Sequence, residues 1–250
     1  MNRGFYTAAS GMYTQQRNIN VFGNNMANVG TSGYKKDRLV TTTFQQELVM
    51  RLEKDNPQNF GKFDIIRHPE FLQTEFDQGN IEPTQRPYDM AILGEGFFVV
   101  KNADGEELLT RNGQFDVDDD GFLILRDVGK VQSTKGDIKL ADSDFTVSKL
   151  GEITVGDKKG GTLKIVKPEN IETLSNIAHG MMRDSKPDAW KQVKENIAVV
   201  SGCYERSNVD VTDEMTRIIA AQRMFQSCSQ AVKMIDTTEA KLMEKIGSGV

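Results

Sequence analysis

Two helical stripes, one at each end of the chain, set the strongest limit on what this sequence can fold into. Phe5, Met12, Ile19 and Met26 lie seven residues apart, and Ala8, Phe22 and Val29 fall on a companion register whose polar member is Gln15. Near the other end Val211, Ile218, Phe225, Val232 and Ile246 repeat the spacing, interrupted by Glu239, beside Ala221, Cys228, Ile235 and Leu242. Apolar residues at this period mark a narrow seam on a helix. Such a seam cannot bury itself, so each helix needs a partner. The simplest partner for each is the other; packing of both on an ordinary core is the alternative. The expected fold class is therefore α+β, with the N- and C-terminal helices paired as a coiled-coil domain and a central β-rich domain inserted between them. The expected division is residues 1–33 plus 205–250 for the helical domain, 34–69 for an arm or linker, and 70–204 for the β-rich domain.

The first helix runs into Gly23-Asn24-Asn25-Met26-Ala27-Asn28-Val29-Gly30, residues that enter left-handed backbone cheaply. Either the helix continues to Val29 with Gly30 as its cap, or it frays into a loop. Thr41–Phe44 reads as a strand and 45–54 as helix-compatible, with Asp55-Asn56-Pro57 as a breaker. From Gln73 to Val166 short apolar runs alternate with turn residues, the pattern of strands. Phe115–Val117, Asp118-Asp119-Asp120-Gly121 and Phe122–Leu125 spell a hairpin. Residues 171–183 read as a short helix or a loop. Asp210 or Thr212 is placed to cap the last helix, with Asp213 and Glu214 in its first turn.

Composition narrows the function classes. A net charge of −5 argues against a nucleic-acid partner. No apolar run approaches the roughly 20 residues that span a bilayer. Polar residues interrupt every candidate core of a secretory signal. The first acidic residue is Asp37, so the amphipathic start reads as an organellar transit peptide or as an uncleaved export address. Cys203 and Cys228 are too few for a disulfide framework.

Motifs for chemistry are sparse. Asp116-x-Asp118-x-Asp120-Gly121 matches the start of a calcium loop, but Asp127 stands where a bidentate glutamate belongs and both flanks read as strands, so a charged hairpin turn is the expectation. Gly94-x-Gly96 lacks the third glycine and the following helix of a dinucleotide loop. His68 and His179 stand in unrelated contexts. The sequence points to no catalytic, cofactor-binding or metal-ligating residues, to no cofactor and to no small-molecule substrate; an Asp/Glu hydrolase has no residue pair in its favour.

Four runs of residues resemble one family. Ala8-Ala9-Ser10-Gly11-Met12, Asn24-Asn25-Met26-Ala27-Asn28 and Thr31-Ser32-Gly33-Tyr34-Lys35 are similar to the start of bacterial flagellar rod and hook proteins. Ser207-Asn208-Val209-Asp210 with Ile219-x-Ala221-Gln222-Arg223 is similar to their other end. Asp89-Met90-Ala91-Ile92 with Gly94-x-Gly96-Phe97-Phe98, and Thr110-Arg111-Asn112-Gly113-Gln114-Phe115, resemble their central strands. The resemblance implies a non-enzymatic axial subunit of the flagellum, of the distal or proximal rod kind by its length. It implies export across the inner membrane by the flagellar export apparatus without a cleaved signal, then helical assembly with copies of itself and other axial proteins. A hook-type subunit, or a coiled-coil-dimerised β binding module, is the alternative. The expected assembly interface brings Phe5, Met12, Ile19 and Phe22 against Ile218, Phe225 and Val232, with Asn24, Asn25 and Asn28 setting register.

Overall fold

A computed structural model of the chain describes residues 3–44, 47–51, 58–63, 66–140, 145–155, 158–171, 174–177, 180–184, 190–192 and 197–247. The first helix, α1, is Arg3–Ala27, and the last, α2, is Val211–Gly247. At 1.5 Å per residue they run about 37 Å and 55 Å. α1 continues through Asn24 and Asn25 but stops at Ala27, where the Asn28 carbonyl accepts the Thr31 N–H at 3.1 Å. The left-handed glycine that follows is Gly33, at φ 68°, and Gly30 is not in that region. Asp210 caps α2: its Oδ1 accepts the N–H of Thr212 at 2.8 Å and of Asp213 at 3.4 Å.

The chain divides into two compact units. One comprises Met1–Met26, Asp37–Gln73 and Asp210–Val250; the other comprises Ala27–Lys36 and Thr74–Val209. The first unit holds α1, α2 and two strand pairs. Asp37–Phe44 pairs with Ile66–Thr74. Glu47–Arg51 pairs antiparallel with Gln58–Phe63, with Glu47 opposite Phe63. The helix-compatible reading of 45–54 therefore fails over its described residues: the short apolar run Leu48-Val49-Met50 fits either period, and pairing with a neighbouring strand decides it.

The coiled-coil fold class is corrected by the burial of the two helices. The structure has an N-terminal helix, a large central β-rich region and a C-terminal helix, without an interlocked heptad seam. Of the seam positions, Ala221 is buried, while Phe5, Val211, Leu242 and Ile246 are exposed and Met12, Ile19, Phe22, Ile218, Phe225 and Val232 are half-buried. The other buried positions are mostly polar: Thr14, Asn25 and Glu214, beside Val21. Where the helices approach, Asn25 Nδ2 donates to Glu214 Oε2 at 3.4 Å, and Cys228 Sγ lies close over Gly11. A sevenfold repeat drifts about 20° per heptad on a straight helix, so without supercoiling the seam turns away from any one partner.

The second unit is built on a sheet that joins ten of the described strands. Phe97–Asn102 lies inside it, antiparallel to Glu107–Thr110, Gly129–Ser133 and Ile165–Pro168. Leu123–Leu125 pairs with Phe115–Val117 around the Asp118–Gly121 turn, the hairpin expected from sequence. Leu174–Asn176 pairs with Met181–Asp184, so among its described residues the segment read as helix or loop holds a pair of strands. Burial of Leu174, Met181 and Met182 shows that sheet contacts outweigh local propensity. Met90–Leu93 pairs not with Phe97–Asn102 but with Ala198–Ser201. One core packs Phe98 edge-on to Phe115 at 5.1 Å together with Ile92, Leu123, Ile138 and Ile153; a smaller one groups Phe97, Val99, Leu109, Val166 and Met182.

Candidate functional site

Three of the expected motifs, Thr31–Lys35, Asp89–Ile92 and Thr110–Phe115, converge in the second unit. Gly33, at φ 68°, lies so close to the neighbouring chain that a Cβ would sit 2.2 Å from Asn112 N and 2.3 Å from Arg111 C. Gly113 is pressed on the strand Met90–Leu93, where a Cβ would fall 1.6 Å from Met90 O. Only glycine fits at either place. The motif Thr31–Lys35 is thereby laid on Thr110–Phe115, and that in turn on Asp89–Ile92.

Behind these turns lies a buried ionic junction. Lys35 Nζ donates to Glu205 Oε1 at 2.5 Å and to Asp77 O at 2.7 Å. Arg111 Nη1 donates to Glu205 Oε2 at 3.3 Å, while Nη2 donates to Gly94 O at 2.7 Å. The Gly79 N–H adds a bond to Glu205 Oε1 at 2.9 Å, and the Gly33 N–H meets Glu205 O at 2.7 Å. Lys35 and Glu205 side chains are 1% and 0% exposed. Burial lowers the pKa of Lys35 and of Arg111, opposed in both by the charge of Glu205. One carboxylate thus serves two cations in a water-poor site. Arg111 Nε, also buried, has no partner among the described residues. Asn208 fastens the same crossing from outside: its Oδ1 accepts the Lys36 N–H at 2.8 Å and its Nδ2 donates to Glu75 O at 2.8 Å.

The expected interface residues lie on the helices with the burial described above. Asn25 Oδ1 accepts the Asp37 N–H at 3.0 Å and its Nδ2 donates to Asp37 O at 2.9 Å, so within one chain this residue ties the end of α1 to the strand that follows. Asn24 is exposed and Asn28 half-buried, its Oδ1 accepting from the Thr31 hydroxyl at 3.3 Å. In the acidic hairpin Asp116 pairs with Arg126 at 2.6 Å, which holds its carboxyl below the usual range, and Asp118 accepts the Asp119 N–H. The junction of Lys35, Arg111 and Glu205 went unread in the sequence. Lys35 and Arg111 sit inside quoted motifs, and Glu205 closes the apolar run Cys203-Tyr204, but nothing local joins them.

Comparison with known proteins bears on both helices and the strands between. Residues 5–35 match the family model described as flagella basal body rod protein. Residues 91–155 match the flagellar hook protein FlgE/F/G D1 domain, and residues 200–244 the flagellar basal body rod FlgEFG protein C-terminal model. The flagellar basal-body rod protein FlgG of Bacillus subtilis is 30% identical over 98% of this chain and 98% of its own. The chain belongs to the flagellar basal-body rod family. The flagellar basal-body rod protein FlgF of Caulobacter vibrioides is 29% identical over 95% of this chain and 94% of its own. The flagellar hook-basal body complex protein FlhO of Bacillus subtilis is 26% identical over 99% of each. A member of this rod family is a structural subunit of the flagellar basal body, and the family is not one of enzymes. The three matched segments contain, in turn, Lys35, Arg111 and Glu205, so the ionic junction ties together the three parts by which the rod family is recognised.

Proposed function

We propose that the chain assembles helically, with copies of itself and with other axial proteins, into the rod that acts as a drive shaft and passes torque to hook and filament. It reaches that position through the flagellar export apparatus, across the inner membrane and without a cleaved signal. Residues 1–33 and 205–250 do the assembling, 34–69 link, and 70–204 form the attached β-rich body. Phe5, Met12, Ile19, Phe22, Ile218, Phe225 and Val232 supply the contact area, and Asn24, Asn25 and Asn28 direct its geometry.

The observation that carries this reading is the apolar surface left on the helices. Met234, Leu242, Met243 and Ile246 are each more than half exposed, and Phe5, Tyr6, Tyr13 and Met224 add to it. Apolar residues gathered on one element mark a surface for a partner. Covering each large side chain contributes roughly 1.5–3 kcal/mol to docking a partner on helices that are already formed. Hydrogen bonds from the asparagines, exchanged with water, add about 0.5–1.5 kcal/mol each and favour one geometry over others.

Phe225→Ala is the test. It removes a half-buried ring from α2, outside the unit formed by Ala27–Lys36 and Thr74–Val209. Sedimentation of concentrated protein is expected to show weakened or lost assembly, while calorimetry shows the β-rich unit melting as in the parent. Normal assembly by Phe225→Ala and by a chain lacking residues 1–30 refutes the proposal.

A further inference from the structure

The hairpin that turns at Asp118–Gly121 carries opposite charges at its two ends. Where Phe115 faces Leu125, a cleft of about 170 Å³ is lined by Arg86, Arg126, Asn112, Gln114 and Asp116. At the turn, Asp119 and Asp120 are exposed. We propose that the acidic turn of one copy docks in the arginine cleft of a second copy, so that neighbouring β-rich units hold one another head to tail. This deepens the assembly reading and rests on it.

The cleft suits a carboxylate. Arg126 Nη2 donates to Asp116 Oδ2 at 2.6 Å. Arg86 Nη2 lies 3.9 Å from the same oxygen and donates to Phe115 O at 3.4 Å. Two guanidiniums therefore share one carboxylate, and the cleft keeps a positive charge. Each guanidinium has five N–H donors, and these contacts engage one nitrogen of each, so donors remain for a second carboxylate. The Asn112 Oδ1 accepts the Gln114 N–H at 3.0 Å, while the side-chain NH₂ groups of Asn112 and Gln114 have no acceptor among the described residues. Tight turns set both arginines in place. The Asp89 N–H closes one on Arg86 O at 3.3 Å, with Pro87 inside it, and the Val128 N–H closes the other on Leu125 O at 3.1 Å, with Asp127 at φ 62°.

Charge, distance and size select the occupant. Asp119 and Asp120 form no ion pair among the described residues. Asp118 and Asp127 line a separate hollow with Lys101 and Lys130 and stand outside this pairing. The turn cannot reach the cleft of its own copy, because four residues of extended strand, about 13 Å, separate Phe115 from Asp119. Sites for drug-sized molecules run to about 300–1,000 Å³, so this cleft takes the ends of side chains instead. Asp116 opposes a free phosphate, whose several charges would face it together. A turn with two separate carboxylates can offer one to each arginine. A contact between two different patches of identical chains passes from copy to copy and, where it does not close, builds an open helical array.

The test uses full-length chains. Arg126→Lys keeps the charge and supplies an amine that a zero-length carbodiimide can couple to a touching carboxylate. Isotope-labelled and unlabelled copies of this variant are mixed, assembled and coupled. Mass spectrometry is expected to find position 126 of one copy joined to Asp119 or Asp120 of another; coupling to Asp116 of the same copy carries one label only. Asp119→Asn with Asp120→Asn is expected to raise the concentration needed for assembly about threefold to tenfold in about 0.1 M salt. In about 1 M salt, where charges are screened beyond about 3 Å, that difference is expected to vanish. Asp119→Glu with Asp120→Glu is expected to assemble as the parent does. Phe225→Ala, by contrast, is expected to weaken assembly at both salt concentrations. Assembly without the mixed-label product overturns this proposal and leaves the assembly reading standing, and so does parent-like assembly of the double asparagine variant in about 0.1 M salt. A parent chain that does not assemble refutes both.

Discussion

Replacing Glu205 by glutamine removes the one anion that Lys35 and Arg111 share while keeping the shape of the side chain. In the parent, Glu205 Oε1 takes the Lys35 ammonium at 2.5 Å and Oε2 the Arg111 guanidinium at 3.3 Å, all three groups being nearly or wholly buried. A buried ion pair that loses one partner costs about 3–5 kcal/mol, because the remaining charge stays desolvated. Two cations are stranded here, so the upper part of that range is expected. For a unit of this size about 3–5 kcal/mol corresponds to a fall in melting temperature of roughly 6–20 °C. The assay is a far-ultraviolet circular dichroism melt of the full chain, repeated across alkaline pH. Burial lowers the Lys35 pKa from 10.5, so the folded chain binds fewer protons than the unfolded chain between that lowered value and 10.5. Stability linked to Lys35 therefore rises with pH through that interval. Glutamine removes the carboxylate that opposes the lowering, so the interval widens and Glu205→Gln regains more stability at high pH than the parent does. Lys35→Met is expected to cost less than Glu205→Gln, since Glu205 keeps Arg111. A melting point for Glu205→Gln within about 2 °C of the parent's refutes the view that this carboxylate holds the junction together.

Two further substitutions test the local geometry. Gly33→Ala places a methyl group on backbone atoms of Arg111 and Asn112 at a positive φ; a loss of at least about 2 kcal/mol is expected in denaturant unfolding of the β-rich unit. Asp210→Ala removes the acceptor for the N–H groups of Thr212 and Asp213, so about 1 kcal/mol of α2 stability is expected to go, read as faster amide exchange over its first turn with the β-rich unit unchanged.

The parts of the fold legible in the sequence are those decided over a few residues. The apolar stripes announce α1 and α2 because their period lies close to that of the helix, and Asp210 stands where a cap is needed. The turn Asp118–Gly121 between alternating apolar runs announces its hairpin for the same reason. Where the local signal is short, neighbours decide. Residues 47–51 become a strand by pairing with 58–63, and residues 174–176 and 181–184 become strands because Leu174, Met181 and Met182 are buried against the sheet.

The family, too, was legible, since its motifs are linear runs of residues at both ends and in the middle. What those motifs are for was not. Gly33 and Gly113 read as turn residues, yet each is glycine because another stretch of backbone occupies the place of its Cβ. Lys35 and Glu205 are 170 residues apart, and Arg111 stands between them. The sequence by itself determined two amphipathic helices, a β-rich middle and membership in a rod family, because period, turn chemistry and motif are properties of neighbours along the chain. Tertiary structure alone decided that the helices share no interlocked seam, and that one carboxylate would neutralise two buried cations. Contact between distant segments and removal of water from charge belong to the folded chain and leave no local trace.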